Sequence, residues 1–224
     1  MKKQNITLRP DIYFENVPKT LNMNIRSELY FINEFTFAVA VILSAQATDK
    51  KVNEVTPELF KIAPTPDKML DLGLDKLKKQ IKVISFFNNK AQNIIKLSQQ
   101  LKDKNSDDIN YKFPKKYHNR DELMKLAGVG QKTANVIMNV LWNAPNIGVD
   151  THVFRNAHRY GWVGVAENTP EKVEEKLLKI IPKKYYPIVN HVMVLHGRYT
   201  CKALRPDCAN CPVNKWCNAK DKKI

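Results

Sequence analysis

Apolar residues recur along most of this chain with a helical period. Between Thr169 and Ile181, Val173, Leu177, Ile180 and Ile181 share one face, the spacing of an amphipathic helix. Thr169 followed by Pro170 supplies an N-cap and a first-turn proline. Glu175 precedes Lys179 by four positions, so the glutamates of this segment read as a solvated, ion-paired face and not as a catalytic cluster. Asn119-Arg120-Asp121-Glu122 has the capping-box spacing and opens a short helix through Leu126. Further helices are predicted over 35–46, 49–60, 85–102, 131–142, 151–160 and 188–196, and Thr65-Pro66 starts another short one. Ile147-Gly148-Val149 and Trp162-Val163-Gly164-Val165 are too short to count as strands. Lys102–Lys116, rich in Lys, Asp and Asn and containing Pro114, reads as an exposed loop between helices. There is no internal repeat. The predicted fold class is all-α.

Composition changes this picture in one respect only. The 224 residues suit one large domain or two small ones, and an apolar fraction of 43% with a charged fraction of 26% is ordinary globular usage. The run Met1–Pro10 has no apolar stretch of signal-peptide length. Phe35–Leu43, the longest apolar run, is interrupted by Thr36 and falls far below the ~20 residues that span a bilayer. Secreted and membrane-spanning classes are set aside, and a cytoplasmic, nucleoid-associated location is expected. The departure is charge: 37 Lys+Arg against 22 Asp+Glu, a net +15. Such a chain accumulates on polyanions, nucleic acid above all. Lysine contacts to phosphate position a protein without identifying bases.

The four cysteines, Cys201, Cys208, Cys211 and Cys217, fall within seventeen residues as C-x6-C-x2-C-x5-C. Clustering of this kind points to a metal centre, either one zinc ion or a [4Fe-4S] cluster. The five histidines have poor spacing for shared ligation and read as packing or surface residues. Two of the seven glycines stand in Leu126-Ala127-Gly128-Val129-Gly130-Gln131-Lys132. A Gly-x-Gly between two short helices describes a helix–hairpin–helix, whose turn and following helix start offer N–H groups to a phosphate. Lys132, in the first turn of the second helix, reads either as one more phosphate contact or as a nucleophile. The nucleophilic role needs an uncharged amine, hence burial and positive surroundings. Asp150 precedes a helical segment and reads either as an N-cap or as an ionised carboxylate that stabilises a cation.

The hairpin ending in Lys132, the Val149-Asp150-Thr151-His152 segment and the cysteine spacing together resemble the endonuclease III family, DNA glycosylases with lyase activity on oxidised pyrimidines. Leu43-Ser44-Ala45-Gln46-Ala47-Thr48-Asp49 and His196-Gly197-Arg198-Tyr199-Thr200-Cys201 are similar to further motifs of that family, in one order from about Phe35 to Cys217. The resemblance implies two helical domains, a six-helix barrel over 27–144 with the hairpin motif near 120–142, and a cluster domain formed by 1–26 and 145–224. It implies double-stranded DNA with damaged bases or abasic sites lying across a cleft between them, faced by Lys132 and Asp150, and a monomeric enzyme. The four cysteines would ligate a [4Fe-4S] cluster that orders the loop from Cys201 to Cys208, where Lys202 and Arg205 meet phosphates, while Gly128 and Gly130 hold the backbone at the hairpin. A base inside a duplex must swing out before its sugar is attacked. By resemblance, Gln46 then fills the vacated space, Phe86 wedges against the opposite strand and Asp49 lines the pocket. Lys132 attacks C1′, Asp150 stabilises positive charge on the sugar, and β-elimination from the Schiff base cuts the strand.

The chain departs from the family at Ala127, usually Pro, at Gln131, commonly Arg, at Ser85, usually Gly, and at Leu204, often basic. Ala127 is expected to loosen the approach to the hairpin, Gln131 to remove a phosphate contact and Ser85 to tolerate a glycine's geometry. Two alternatives stand beside this reading. A mispair adenine glycosylase would lack a lysine at 132 and usually carries a further C-terminal domain, where seven residues follow Cys217 here. A non-enzymatic DNA-binding module would use the hairpin alone.

Overall fold

The computed structural model describes residues 8–21 and 27–223; residues 1–7, where no signal sequence was expected, lie outside the described residues. All regular structure among the described residues is helical. In chain order the α-helices are α1 (Pro10–Asn16), α2 (Glu34–Ser44), α3 (Asp49–Ile62), α4 (Pro66–Leu72), α5 (Leu74–Gln80), α6 (Phe87–Gln100), α7 (Arg120–Leu123), α8 (Gln131–Trp142), α9 (Thr151–Arg159), α10 (Pro170–Ile180) and α11 (Tyr186–Tyr199). The chain divides into two compact units, Ser27–Trp142 and the pair Met1–Arg26 with Asn143–Ile224. No helix of the described residues is long and apolar enough to cross a membrane.

In the 27–142 unit α2 is the central element. Every residue from Phe35 to Leu43 is buried, as expected of a helix that is apolar all round, and α3, α6 and α8 pack against it. Asn33 starts it with a capping box: its Oδ1 accepts from the Thr36 N–H at 2.9 Å and the Thr36 hydroxyl accepts from the Asn33 N–H at 2.9 Å. The Asn33 amide also donates to the carbonyls of Pro64 and Ile109, both at 2.8 Å. The helix ends at Ser44, two residues short of the predicted end, because Ala45 leaves the helical region and Gln46 turns to φ 53°. Likewise α6 begins at Phe87, since Phe86 is left-handed at φ 58°. The 102–116 segment is the expected exposed loop between helices, pinned at three buried side chains. Ser106, Tyr111 and Phe113 are buried; the Tyr111 hydroxyl donates to the Leu101 carbonyl at 3.0 Å and the Phe113 N–H to Glu34 at 2.7 Å.

The second unit joins residues 8–21 to the C-terminal part of the chain. Tyr13 stacks edge-on against Trp162 at 5.2 Å, Phe14 stacks on Tyr185 at 5.1 Å, and the Trp162 indole N–H donates to the Leu8 carbonyl at 2.6 Å. Helices α9 and α11 pack directly, with α10 against α9. The expected Lys179–Glu175 ion pair forms at 2.5 Å, whereas Glu174 turns inward and accepts from the Ile147 N–H at 3.4 Å.

Candidate functional site

The glycine hairpin lies in the 27–142 unit, where Gly128 and Gly130 differ in what holds them. Gly128 has φ 78°, and a Cβ there would come within 3.1 Å of Asn93 Cβ and 3.2 Å of Ile42 Cδ1, so the turn is pressed onto α6 and α2. Gly130 has open space around it, and its carbonyl accepts the Ala134 N–H at 2.9 Å. The first N–H groups of α8 therefore point out beside an exposed glycine, where a helix start favours an anion. Lys132, one position into α8, is exposed. The burial that a neutral amine requires is not supplied by the 27–142 unit itself.

Ala127 brings the hairpin a bond of its own. Its N–H donates to Gln100 Oε1 at 2.8 Å, and Gln100 Nε2 donates to the Lys125 carbonyl at 2.9 Å. A proline has no N–H to offer, so alanine permits this tie to the end of α6. Ser85 takes no positive φ; the left-handed residue is its neighbour Phe86, 64% exposed. Gln46 is exposed, and Asp49 is half-buried in the first turn of α3.

In the other unit Asp150 caps α9. Its Oδ1 accepts from the His152 N–H at 2.9 Å and the Val153 N–H at 2.8 Å, satisfying two donors of the helix start. The expected N-cap is thus formed.

All four cysteines carry free thiols and line a common cavity with Arg159 and Tyr160. Among the described residues no three His, Cys, Asp or Glu stand as a ligand set for one metal ion. Burial pushes the Cys211 thiol up to about 11 and raises Cys217 as well. Arg159, its side chain 8% exposed, donates to Cys201 Sγ at 3.3 Å, to the Lys202 carbonyl at 2.8 Å and to the Ala203 carbonyl at 3.2 Å, and pairs with Asp221. Arg155 donates to the carbonyls of Gly197 at 2.7 Å and Cys201 at 3.1 Å. With these carbonyls held inward, the side chains of Lys202, Leu204 and Arg205 stand exposed on the outside of the loop.

His196, read from sequence as a packing residue, is buried beside this cavity. Its Nδ1 lies 3.0 Å from the Tyr13 hydroxyl and 2.9 Å from that of Tyr160, and its Nε2 lies 3.5 Å from Cys211 Sγ. The packing reading of His196 holds, whereas Arg155 and Arg159 escaped the sequence reading. The i, i+4 arginines of α9 were the one available signal.

Residues 39–183 match the family described as HhH-GPD superfamily base excision DNA repair protein. Endonuclease III of Haemophilus influenzae is 47% identical over 196 residues, covering 88% of this chain and 89% of that protein. The chain belongs to the endonuclease III family. Endonuclease III of Escherichia coli K12 is 41% identical, with 88% of this chain and 89% of that protein covered. A trapped covalent intermediate between endonuclease III and DNA superposes with a TM-score of 0.80 at 41% identity, covering 93% of each chain. A thermostable thymine-DNA glycosylase shares the fold, with a TM-score of 0.75 at 18% identity over 93% of this chain and 95% of that one.

Proposed function

We propose that this chain is a bifunctional DNA glycosylase and abasic-site lyase of base excision repair, removing oxidised pyrimidines from duplex DNA as a monomer in the cytoplasm. The observation that carries this reading is the 0.80 superposition on a covalently trapped endonuclease III–DNA intermediate at 41% identity, with Lys132 in the first turn after the hairpin. Phosphate oxygens meet the N–H groups around Gly128 and Gly130, and the bound strand covers Lys132. That covering, with the positive start of α8, supplies the desolvation and the field that an uncharged amine needs.

The neutral Lys132 nitrogen attacks C1′ of the extruded nucleotide. The glycosidic bond breaks, and the base leaves with that electron pair and takes up a proton. Asp150, at the start of α9, stabilises positive charge on the sugar. The ring opens to a Schiff base on Lys132, which acidifies the C2′ proton. Loss of that proton expels the 3′-phosphate with the C3′–O electron pair and cuts the strand, and water then releases the lysine. Gln46 fills the gap left in the stack, Phe86 wedges against the opposite strand, and Asp49 lines the pocket.

Cys201, Cys208, Cys211 and Cys217 would hold a [4Fe-4S] cluster. Four thiols lining one cavity fit the four-thiolate set that such a cluster takes. When bound, the cluster contributes structural cross-linking and local charge, and Lys202 and Arg205 reach phosphates from the loop it orders.

Borohydride trapping on abasic duplex DNA tests the reading. Wild-type protein is expected to form a covalent adduct that Lys132→Gln abolishes, and to cleave strands bearing thymine glycol or dihydrouracil in preference to 8-oxoguanine. Tight binding by wild-type protein without any adduct would overturn it in favour of a binding module.

A further inference from the structure

Among the described residues, Gln46, Phe86 and Asn143 take positive φ without being glycine. The first two are exposed, and a single buried residue links the turns in which they stand. Lys90 is 6% exposed, and its backbone N–H donates to the Phe86 carbonyl at 3.1 Å in the opening turn of α6. Its side-chain nitrogen crosses to α2 and donates to the carbonyls of Leu43 at 2.8 Å and Ala45 at 2.6 Å. Those acceptors belong to the C-terminal end of α2, where carbonyls lack intrahelical donors and a cation is favoured. The residue next to Ala45 is Gln46.

Left-handed backbone is unfavourable for residues that carry a Cβ, so it persists only where the surroundings hold it. Burying an ammonium is also unfavourable, and burial lowers the Lys90 pKa. Two strained, exposed residues and one buried amine thus meet in a single hydrogen-bonded unit. Resting on the reading given above, we propose that Lys90 is a positioning residue for nucleotide extrusion, tying the Ala45-Gln46 turn to the Phe86 turn so that both side chains enter the duplex as a fixed pair. The hairpin glycine reinforces the same support, since Gly128 lies against Ile42 of α2 and Asn93 of α6.

Extrusion is read from the fluorescence of 2-aminopurine placed opposite an abasic site, alongside single-turnover excision. In Lys90→Met the extrusion signal and excision rate are expected to fall by about ten-fold or more, while borohydride trapping on single-stranded abasic DNA, which has no stack to open, stays near wild type. In a Gln46→Ala/Phe86→Ala background, Lys90→Met is expected to cost less than about two-fold further. Normal extrusion in a folded Lys90→Met protein overturns the proposal. So does equal loss on single-stranded and duplex substrates, or an undiminished loss in the double-variant background, either of which marks a merely structural lysine. If Lys90→Met unfolds at the assay temperature, Lys90→Gln takes its place. If neither folds, the lysine serves the core alone and the proposal falls. Failure of wild-type protein to form any adduct overturns the lyase reading instead, and the extrusion signal still decides on Lys90.

Discussion

The amide of Gln100 faces two ways, accepting from Ala127 and donating to Lys125. Gln100→Ala removes both bonds from an exposed site and is expected to cost about 1 kcal/mol or less, seen as a lower urea midpoint at unchanged slope. Ala127→Pro is expected to cost less in that background than in the wild type, because the N–H it deletes has lost its acceptor; equal costs would show that the two positions act independently. A sharper steric limit lies at Gly197, where a Cβ would come within 2.8 Å of Asn156 Nδ2 and 2.9 Å of His152 Cβ. Gly197→Ala is expected to destabilise by about 1–3 kcal/mol, measured by thermal melting. The hairpin glycines and the cysteine spacing were legible because each is a short-range pattern. Gln100 and Arg155 were not, since their partners stand 27 and 46 residues away and such pairings leave no periodic mark.

Helix caps rank the elements by how much depends on them. Asn33 begins α2 and also holds the carbonyls of Pro64 and Ile109, so Asn33→Ala removes a cap and strands two part-buried acceptors. Thr169 makes one exposed cap bond at 3.4 Å. The expected costs are about 2 kcal/mol or more for Asn33→Ala and about 1 kcal/mol or less for Thr169→Ala, compared by denaturant midpoints. Equal costs would mean that the contacts to Pro64 and Ile109 contribute nothing. Apolar periodicity revealed the long helices, α8 with both ends correct. It could not place the ends at Gln46 and Phe86, because propensity has no term for a left-handed residue held by a distant lysine. Nor did a polar composition over 102–116 reveal that Tyr111 and Phe113 anchor the segment in the core.

At the scale of the whole molecule the excess of positive charge sets how binding responds to salt. The slope of log affinity against log salt is about −0.9 for each phosphate neutralised. Lys202→Ala and Arg205→Ala are each expected to reduce that slope by about one and to weaken undamaged and abasic duplexes alike. An altered lesion preference at constant slope would remove these residues from the phosphate contacts. The charge imbalance was plain in composition, whereas the pairing of residues 8–21 with the C-terminal part came only from the family resemblance. That pairing bears on synthesis. Tyr13 and His196 touch although 183 residues separate them, so at about 5–20 residues per second the ribosome delivers the second about 10–40 s after the first. The whole of 27–142 emerges in that interval with its own core complete, while residues 8–21 wait for partners not yet translated.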